Sequence, residues 1–116
     1  MLFRRIMALA SVCLICSNAS AELTLEKYRE GMSSNRDIRG MAIAYVAGVG
    51  AAYTWANSEL ERERQPLLFC QPRTLALNSD VLLRLLDREI QNDLYKPQYS
   101  VEMALLFALK RNYPCQ

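Results

Sequence analysis

The sequence contains no histidine, and this absence narrows the chemistry open to the protein. Histidine is the usual general base of hydrolytic sites and a common zinc ligand, so sites that depend on it are excluded. Acid–base chemistry would have to rest on carboxylates alone. Pairs such as Glu26 with Glu30, or Glu59 with Glu63, fall on predicted exposed helix faces, where solvation is the ordinary role. We therefore expect that the protein is not an enzyme and that it uses no cofactor and no metal ion.

A long hydrophobic run is also missing, which bears on membrane insertion. The N-terminal apolar run covers residues 6–16, whereas a membrane-spanning helix needs about 20 apolar residues. Arg4 and Arg5 precede this run, and the small residues at 19–21 follow it. This order is typical of a secretory signal peptide, which we predict over residues 1–21, rather than of a membrane anchor. We expect export to the periplasm and no stable membrane insertion after the signal peptide is cleaved.

The predicted exported chain, residues 22–116, has no excess of charge of either sign. It carries 12 basic and 12 acidic residues, because Arg4 and Arg5 account for the whole net charge of +2. Recognition of a nucleic-acid backbone needs a basic surface. The sequence therefore predicts no nucleic-acid partner, and its length predicts a single small domain.

Cysteine is scarce in the exported chain, where only Cys70 and Cys115 remain. Two cysteines in a small exported domain usually form a disulfide. Such a bond would attach the C-terminus to the middle of the chain. A zinc site is the competing interpretation, but two thiols without any histidine make a poor zinc shell. We therefore predict one Cys70–Cys115 disulfide.

The apolar periodicity predicts four helices and no strands. Thr24, Ser34 or Asn35, Asn78 or Ser79, and Ser100 are suitable N-terminal caps for them. The predicted helices cover residues 23–32, 37–64, 79–94 and a last stretch that begins after Ser100 and ends before Pro114. In the third of these, Leu94 is assigned to the apolar stripe together with Leu82 and Leu86. The fold class is therefore predicted as a small all-α, four-helix domain with one disulfide.

The longest predicted helix carries a row of small residues at every fourth position: Gly40, Ala44, Gly48, Ala52 and Ala56. This spacing places them along one stripe of the helix surface, where a second helix can approach closely. Each helical glycine costs about 1 kcal/mol relative to alanine, and close packing would compensate for that cost. The pattern leaves open whether the stripe packs within one chain or between two chains.

Four short stretches, taken in order, resemble a known family. They are YREGMSSN at 28–35, YVAGVGAAYTWAN at 45–57, FCQP at 69–72 and ALKRNYPC at 108–115. With a signal peptide before them, they resemble the Rap/Tai group of type VI secretion immunity proteins. Members of this group are periplasmic and block peptidoglycan-cutting amidase effectors. The resemblance spans nearly all of residues 22–116 and implies an all-helical fold with a Cys70–Cys115 disulfide, and it leaves room for a homodimer.

The resemblance also implies a mechanism in which the immunity protein occludes the catalytic groove of the amidase, in some members with a protruding loop. The loop before the last helix is the best match in this sequence. Its candidate partner-binding residues are Asp93, Tyr95, Lys96, Gln98 and Tyr99. The alternative interpretation is an ordinary helix connection whose tyrosines half cover the core.

Two functions therefore stand as hypotheses. The first is an immunity protein that binds and neutralises a secreted amidase. The second is a periplasmic helical binding or chaperone-like module that has no toxin partner. Since histidine is absent, an acid-responsive version of the second function would depend on carboxylates only.

Overall fold

The computed structural model describes residues 22–116, and the predicted signal peptide lies outside the described residues. Four helices make up the fold: α1 (Leu25–Met32), α2 (Arg36–Arg62), α3 (Ser79–Glu89) and α4 (Val101–Asn112). Residues 22–116 contain no strand, and an isolated antiparallel bridge joins Thr24 to Ser100. The all-α, four-helix prediction is confirmed.

Each helix begins at a side chain that accepts hydrogen bonds from its first turn. The Thr24 hydroxyl accepts from the Lys27 amide at 3.2 Å, and the side-chain oxygen Oδ1 of Asn35 accepts from the Ile38 amide at 3.0 Å. Asn78 caps α3 and Ser100 caps α4 in the same way. Such caps satisfy backbone donors that have no partner inside the helix. The sequence named all four capping residues, two of them as one of a pair.

A single apolar core lies between the helices and includes a residue from the long loop after α2. Phe69 reaches the core from that loop and is 1% exposed. The other buried apolar residues come from the helices or their ends: Leu25, Tyr28, Ala42, Val46, Leu82, Leu85, Leu86, Ile90, Val101, Ala104, Leu105, Ala108 and Leu109.

Two tyrosine hydroxyls of α2 donate hydrogen bonds to Glu102, in the first turn of α4. Tyr53 donates to the carbonyl oxygen of Glu102 at 2.7 Å, and Tyr45 donates to the Glu102 carboxylate. The Tyr45 hydroxyl also accepts from the Leu23 amide at 3.2 Å. Burial is the largest cause that raises the pKa of both tyrosines. These hydrogen bonds hold Leu23, just before α1, and Glu102, in the first turn of α4, against one face of α2.

The disulfide joins Cys70 to Cys115, as predicted, with 4.9 Å between the two Cα atoms. Beside it, the Cys70 amide donates to the carbonyl oxygen of Tyr113 at 2.7 Å. The Asn57 side chain holds the same loop from α2, since it donates to the Phe69 carbonyl and accepts from the Leu68 amide. The loop after α2 is therefore held by α2 and by the C-terminus at once.

Helix α3 ends five residues earlier than the sequence predicted, at Glu89 instead of Leu94. In a longer helix the Leu94 amide would donate to the Ile90 carbonyl oxygen. Instead, the guanidinium of Arg29 donates to that carbonyl at 3.0 Å. The Leu94 amide donates to the Asn92 side chain at 3.0 Å. The helix ends because a side chain from α1 and a local turn take both of these backbone groups.

Helix α2 also ends earlier than predicted, at Arg62 instead of Arg64. Arg64 adopts a positive φ of 55°, and the Gln65 amide bonds back to the Leu60 carbonyl at 2.8 Å. A residue in the left-handed region is a common way to end a helix. Pro66 follows and prevents the helix from resuming.

We expect Gly50→Ala to destabilise the fold although alanine favours helices. A Cβ at Gly50 would overlap Cδ1 of Leu82 and lie 3.0 Å from its Cδ2, and the Leu82 side chain is buried, with 1% exposure. Overpacking costs about 1–3 kcal/mol, which exceeds the gain of about 1 kcal/mol in helix propensity. Urea denaturation of both forms measures the difference.

Gly40→Ala is the matched control, because a Cβ at Gly40 meets nothing within 4 Å. It should stabilise the protein by about 1 kcal/mol. Equal effects of the two substitutions would contradict the close approach of α2 to Leu82.

Removal of the disulfide by the paired change Cys70→Ala with Cys115→Ala should destabilise the fold. The bond closes a loop with a sequence separation of 45 residues. The chain-entropy estimate for such a loop is about 4 kcal/mol. Thermal unfolding of the two forms measures the change, and an unchanged midpoint would show that the bond adds nothing to stability.

Candidate functional site

The predicted partner-binding loop lies between α3 and α4, and its five candidate residues divide into two groups. Asp93, Lys96 and Gln98 are exposed, whereas Tyr95 and Tyr99 are half-buried and pack against the core. The tyrosines therefore hold the loop in place rather than projecting from it. This geometry favours the interpretation of Tyr95 and Tyr99 as part of a helix connection, and leaves the polar residues facing solvent.

Tyr95 is held by the carboxylate of Glu89, the last residue of α3. Its hydroxyl donates to Oε1 of Glu89 at 2.8 Å. The Arg111 guanidinium, at the end of α4, donates to the same oxygen at 3.1 and 3.2 Å. Glu89 is 8% exposed, so its charge is largely removed from water. A buried carboxylate needs such donors, and here they join α3, the loop and α4.

This environment changes the acidity of Tyr95. Burial, followed by the hydrogen bond to Glu89, raises the pKa of Tyr95 to about 12. Tyr28 is in a similar position, because burial and its 2.7 Å hydrogen bond to Asp87 raise its pKa. Both phenols therefore remain protonated donors over the whole neutral range.

The second half of the loop is attached to the start of α1. The Leu25 amide donates to the Tyr99 carbonyl at 2.8 Å, and the Glu26 amide donates to the Pro97 carbonyl at 3.0 Å. Two turns inside the loop are closed by the amides of Tyr95 and Tyr99, which bond to Asn92 and Lys96 respectively. The loop is held at both ends and internally, which limits the conformations open to it.

Leu94 is the most exposed large apolar residue that this loop presents, with 77% of its surface accessible. Its spacing in the sequence predicted a place in the apolar stripe of the third helix, and that prediction is wrong. Its i+4 spacing from Ile90 fits a helix, so periodicity alone could not find it. The sequence NDLYKP, with Asn92 as a turn residue, is the local feature that could have indicated a turn.

The small-residue stripe of α2 faces away from the core of its own chain. Gly40, Ala44, Gly48 and Ala52 are exposed, and Ala56 is half-buried. The buried residues of α2 are instead Ala42, Val46 and Gly50. The stripe is therefore mostly exposed among residues 22–116, which leaves packing between two chains as the other alternative.

Two large apolar side chains share this exposed side of α2. Met41 is 72% exposed and Trp55 is 76% exposed. They lie two heptads apart, and the residues between them on the same side are alanine and glycine. Exposed apolar patches of this kind commonly mark interaction surfaces.

Residues 22–116 contain no cluster of three or more cysteine and carboxylate side chains able to bind a metal ion. None of the helices formed by these residues has the length and apolarity to cross a bilayer. An open cavity of about 420 Å³ beside the disulfide is lined by Phe69 and Arg73, and by Asn57, whose amide group is already bonded to backbone.

Comparison of the chain with protein-family models, with curated proteins and with solved structures gives no match in any of the three.

We expect Tyr95→Phe to change the alkaline stability of the protein. A phenol whose folded-state pKa is raised adds stability that is fully present below its unfolded pKa, about 10. This stability is lost as the pH rises from about 10 to about 12. At neutral pH the substitution should cost about 1.5 kcal/mol, the value of a hydrogen bond to a charged group.

Denaturant unfolding at a series of pH values measures both effects. The phenylalanine form should be less stable at pH 7, and should lose less stability than the wild type between pH 10 and pH 12. Parallel pH curves for the two proteins would contradict the contact between Tyr95 and Glu89.

Proposed function

We propose that this protein is a periplasmic immunity protein that binds a peptidoglycan amidase effector of type VI secretion and occludes its catalytic groove. Three features support the proposal. The four stretches at 28–35, 45–57, 69–72 and 108–115 resemble the Rap/Tai group, the fold is all-α, and the Cys70–Cys115 disulfide suits an oxidising compartment.

The observation that carries the proposal is the exposure of Leu94 on a firmly held loop. Asp93, Lys96 and Gln98 are exposed polar residues of the same loop. An apolar anchor with a polar rim is the usual composition of a protein-binding surface. Since the hydrogen bonds of Tyr95 and Tyr99 already order the loop, little conformational entropy remains to be lost on binding.

Inhibition by such a loop needs no chemistry from the immunity protein. Leu94 would enter the apolar part of the amidase groove, and Lys96 and Gln98 would bond to polar groups at its rim. Water and the peptidoglycan substrate would both be excluded while the loop is bound. The inhibited amidase would therefore regain full activity on dissociation.

A second candidate function is a periplasmic chaperone-like module without a toxin partner. The exposed Met41 and Trp55 on α2 favour it, because an apolar helix face can hold unfolded clients. This function predicts many weak clients and no linked amidase.

The test is capture of partners by the exported protein from periplasmic extract of its own organism and of cells active in type VI secretion. Bound proteins are identified by mass spectrometry and assayed for peptidoglycan cleavage. We expect one dominant amidase, inhibited in a one-to-one ratio of chains. Many weak partners would favour the chaperone-like module instead.

Leu94→Asp should weaken amidase binding by about 100-fold, since it places a charge in an apolar contact. It should not alter stability, because 77% of the Leu94 surface is exposed. This makes it a cleaner probe than Tyr95 or Tyr99, whose removal would disturb the loop. Trp55→Asp is the matched control on another surface and should leave amidase binding unchanged. Loss of binding with Trp55→Asp alone would contradict the assignment of the loop.

A further inference from the structure

One oxygen of the Glu102 carboxylate lacks a hydrogen-bond donor within the described fold. Oε1 accepts from the Tyr45 hydroxyl, whereas Oε2 is buried and accepts no hydrogen bond from residues 22–116. A buried carboxylate oxygen without a donor is unfavourable and uncommon in native structures. A positively charged donor would satisfy this oxygen best, because it would also compensate the charge of the carboxylate.

The beginning of the described chain lies beside this carboxylate. The Leu23 amide donates at 3.2 Å to the Tyr45 hydroxyl, the same hydroxyl that donates to Glu102. The Leu23 carbonyl accepts at 2.9 Å from the amide of Val101, the residue before Glu102. Consecutive Cα atoms are about 3.8 Å apart, so the backbone nitrogen of Glu22 lies one short step from this network.

The charges that act on the Tyr45 hydroxyl are negative. Burial is the largest cause that raises the pKa of Tyr45 and of Tyr53, and the charge of Glu102 adds to both shifts. The charge of Glu22 adds to the shift at Tyr45. Two carboxylates therefore lie close enough to this hydroxyl to act on it, and a cation beside them would be attracted to both.

Cleavage of the predicted signal peptide after Ala21 would create such a cation. Hydrolysis breaks the bond between the Ala21 carbonyl carbon and the Glu22 nitrogen. Water supplies the oxygen of the new Ala21 carboxylate, and the Glu22 nitrogen takes up protons to become an α-ammonium group. A neutral amide with one N–H is thereby replaced by a charged group with three N–H donors.

We propose that the α-ammonium group of Glu22 binds Oε2 of Glu102 in the exported chain. Leu23 is held at its amide and at its carbonyl, so it fixes the point from which the new N-terminus extends. Rotation about the bond between Cα and the carbonyl carbon of Glu22 turns the freed nitrogen toward Glu102. Removal of the signal peptide thus completes the contact between the start of the chain and α4.

The inference goes beyond the proposed function. It rests on the predicted cleavage after Ala21 and is independent of any amidase partner, since the loop that carries Leu94 takes no part in it. The consequence is that the exported chain is more stable than the same chain with a blocked N-terminus.

The experiment compares two forms of residues 22–116, which contain all four helices and the core. Both are released from a removable tag so that they begin at Glu22, with the disulfide formed, and one is then acetylated at the Glu22 nitrogen. Acetylation removes the charge and two of the three donors. In urea denaturation at pH 7, the folding equilibrium constant of the free-amine form should be about tenfold larger, as for a hydrogen bond to a charged group.

Glu102→Gln identifies the carboxylate that binds the amine. In this variant the free-amine and acetylated forms should be equally stable, whatever the substitution does to both. Glu26→Gln is the matched control, because Glu26 is an exposed carboxylate near the same N-terminus. It should leave the tenfold difference unchanged.

The difference should also depend on pH in a defined direction. An α-amine has an ordinary pKa of about 8, and pairing with Glu102 should raise it. The advantage of the free-amine form is then fully present below pH 8 and is lost as the pH rises through the raised value. The other titratable groups at this position are the phenols of Tyr45 and Tyr53, whose pKa values are raised, and the carboxylates of Glu22 and Glu102, which titrate in acid.

Equal stability of the free-amine and acetylated forms would overturn the proposal. A difference that persists in Glu102→Gln would overturn it as well, because another group would then bind the amine. The intact mass of the protein exported by its own organism tests the cleavage separately. A chain that begins elsewhere than Glu22 would refute the role of signal-peptide removal, whatever the stability comparison shows.

Discussion

The buried carboxylate of Glu89 determines how the chain leaves α3 and how it reaches α4. It accepts hydrogen bonds from Tyr95 in the loop and from Arg111 at the end of α4. With 8% exposure, this charge cannot be left without donors at an acceptable free energy. The loop must therefore keep Tyr95 inward. Once Tyr95 points inward, its neighbour Leu94 is exposed on the outside of the turn.

Other long-range contacts also determine where the loops lie. Arg29 from α1 takes the carbonyl of Ile90 and stops α3, and the backbone of α1 bonds to Pro97 and Tyr99. Helix α1 thus supports the loop from its other side. The disulfide and Asn57 hold the long loop after α2, which lets Phe69 complete the core. Several side-chain hydrogen bonds among residues 22–116, including those of Arg29, Asn57 and Tyr95, position the loops of this small domain.

Local chemistry was sufficient to predict several parts of this structure. The capping residues could be predicted because they bond to amides a few residues away. The disulfide could be predicted because residues 22–116 contain two cysteines. The end of α3 could not be predicted, since Arg29 lies 61 residues from Ile90. Gly48 and Gly50 look alike in sequence, and only tertiary packing places Gly50 against Leu82 and Gly48 in solvent. Leu94 was assigned to the core for the same reason, because its spacing fits a helix that a long-range contact interrupts.

The proposed binding mode requires that the loop between α3 and α4 is ordered before any partner binds. Amide hydrogen exchange of the free protein, followed by NMR, measures this order directly. We expect the amides of Leu94, Tyr95 and Tyr99, which are all hydrogen-bonded, to exchange about 100-fold more slowly than in an unstructured peptide. Exchange of these amides at the unprotected rate, with the four helices still protected, would contradict it and would make the loop a segment that a partner has to order.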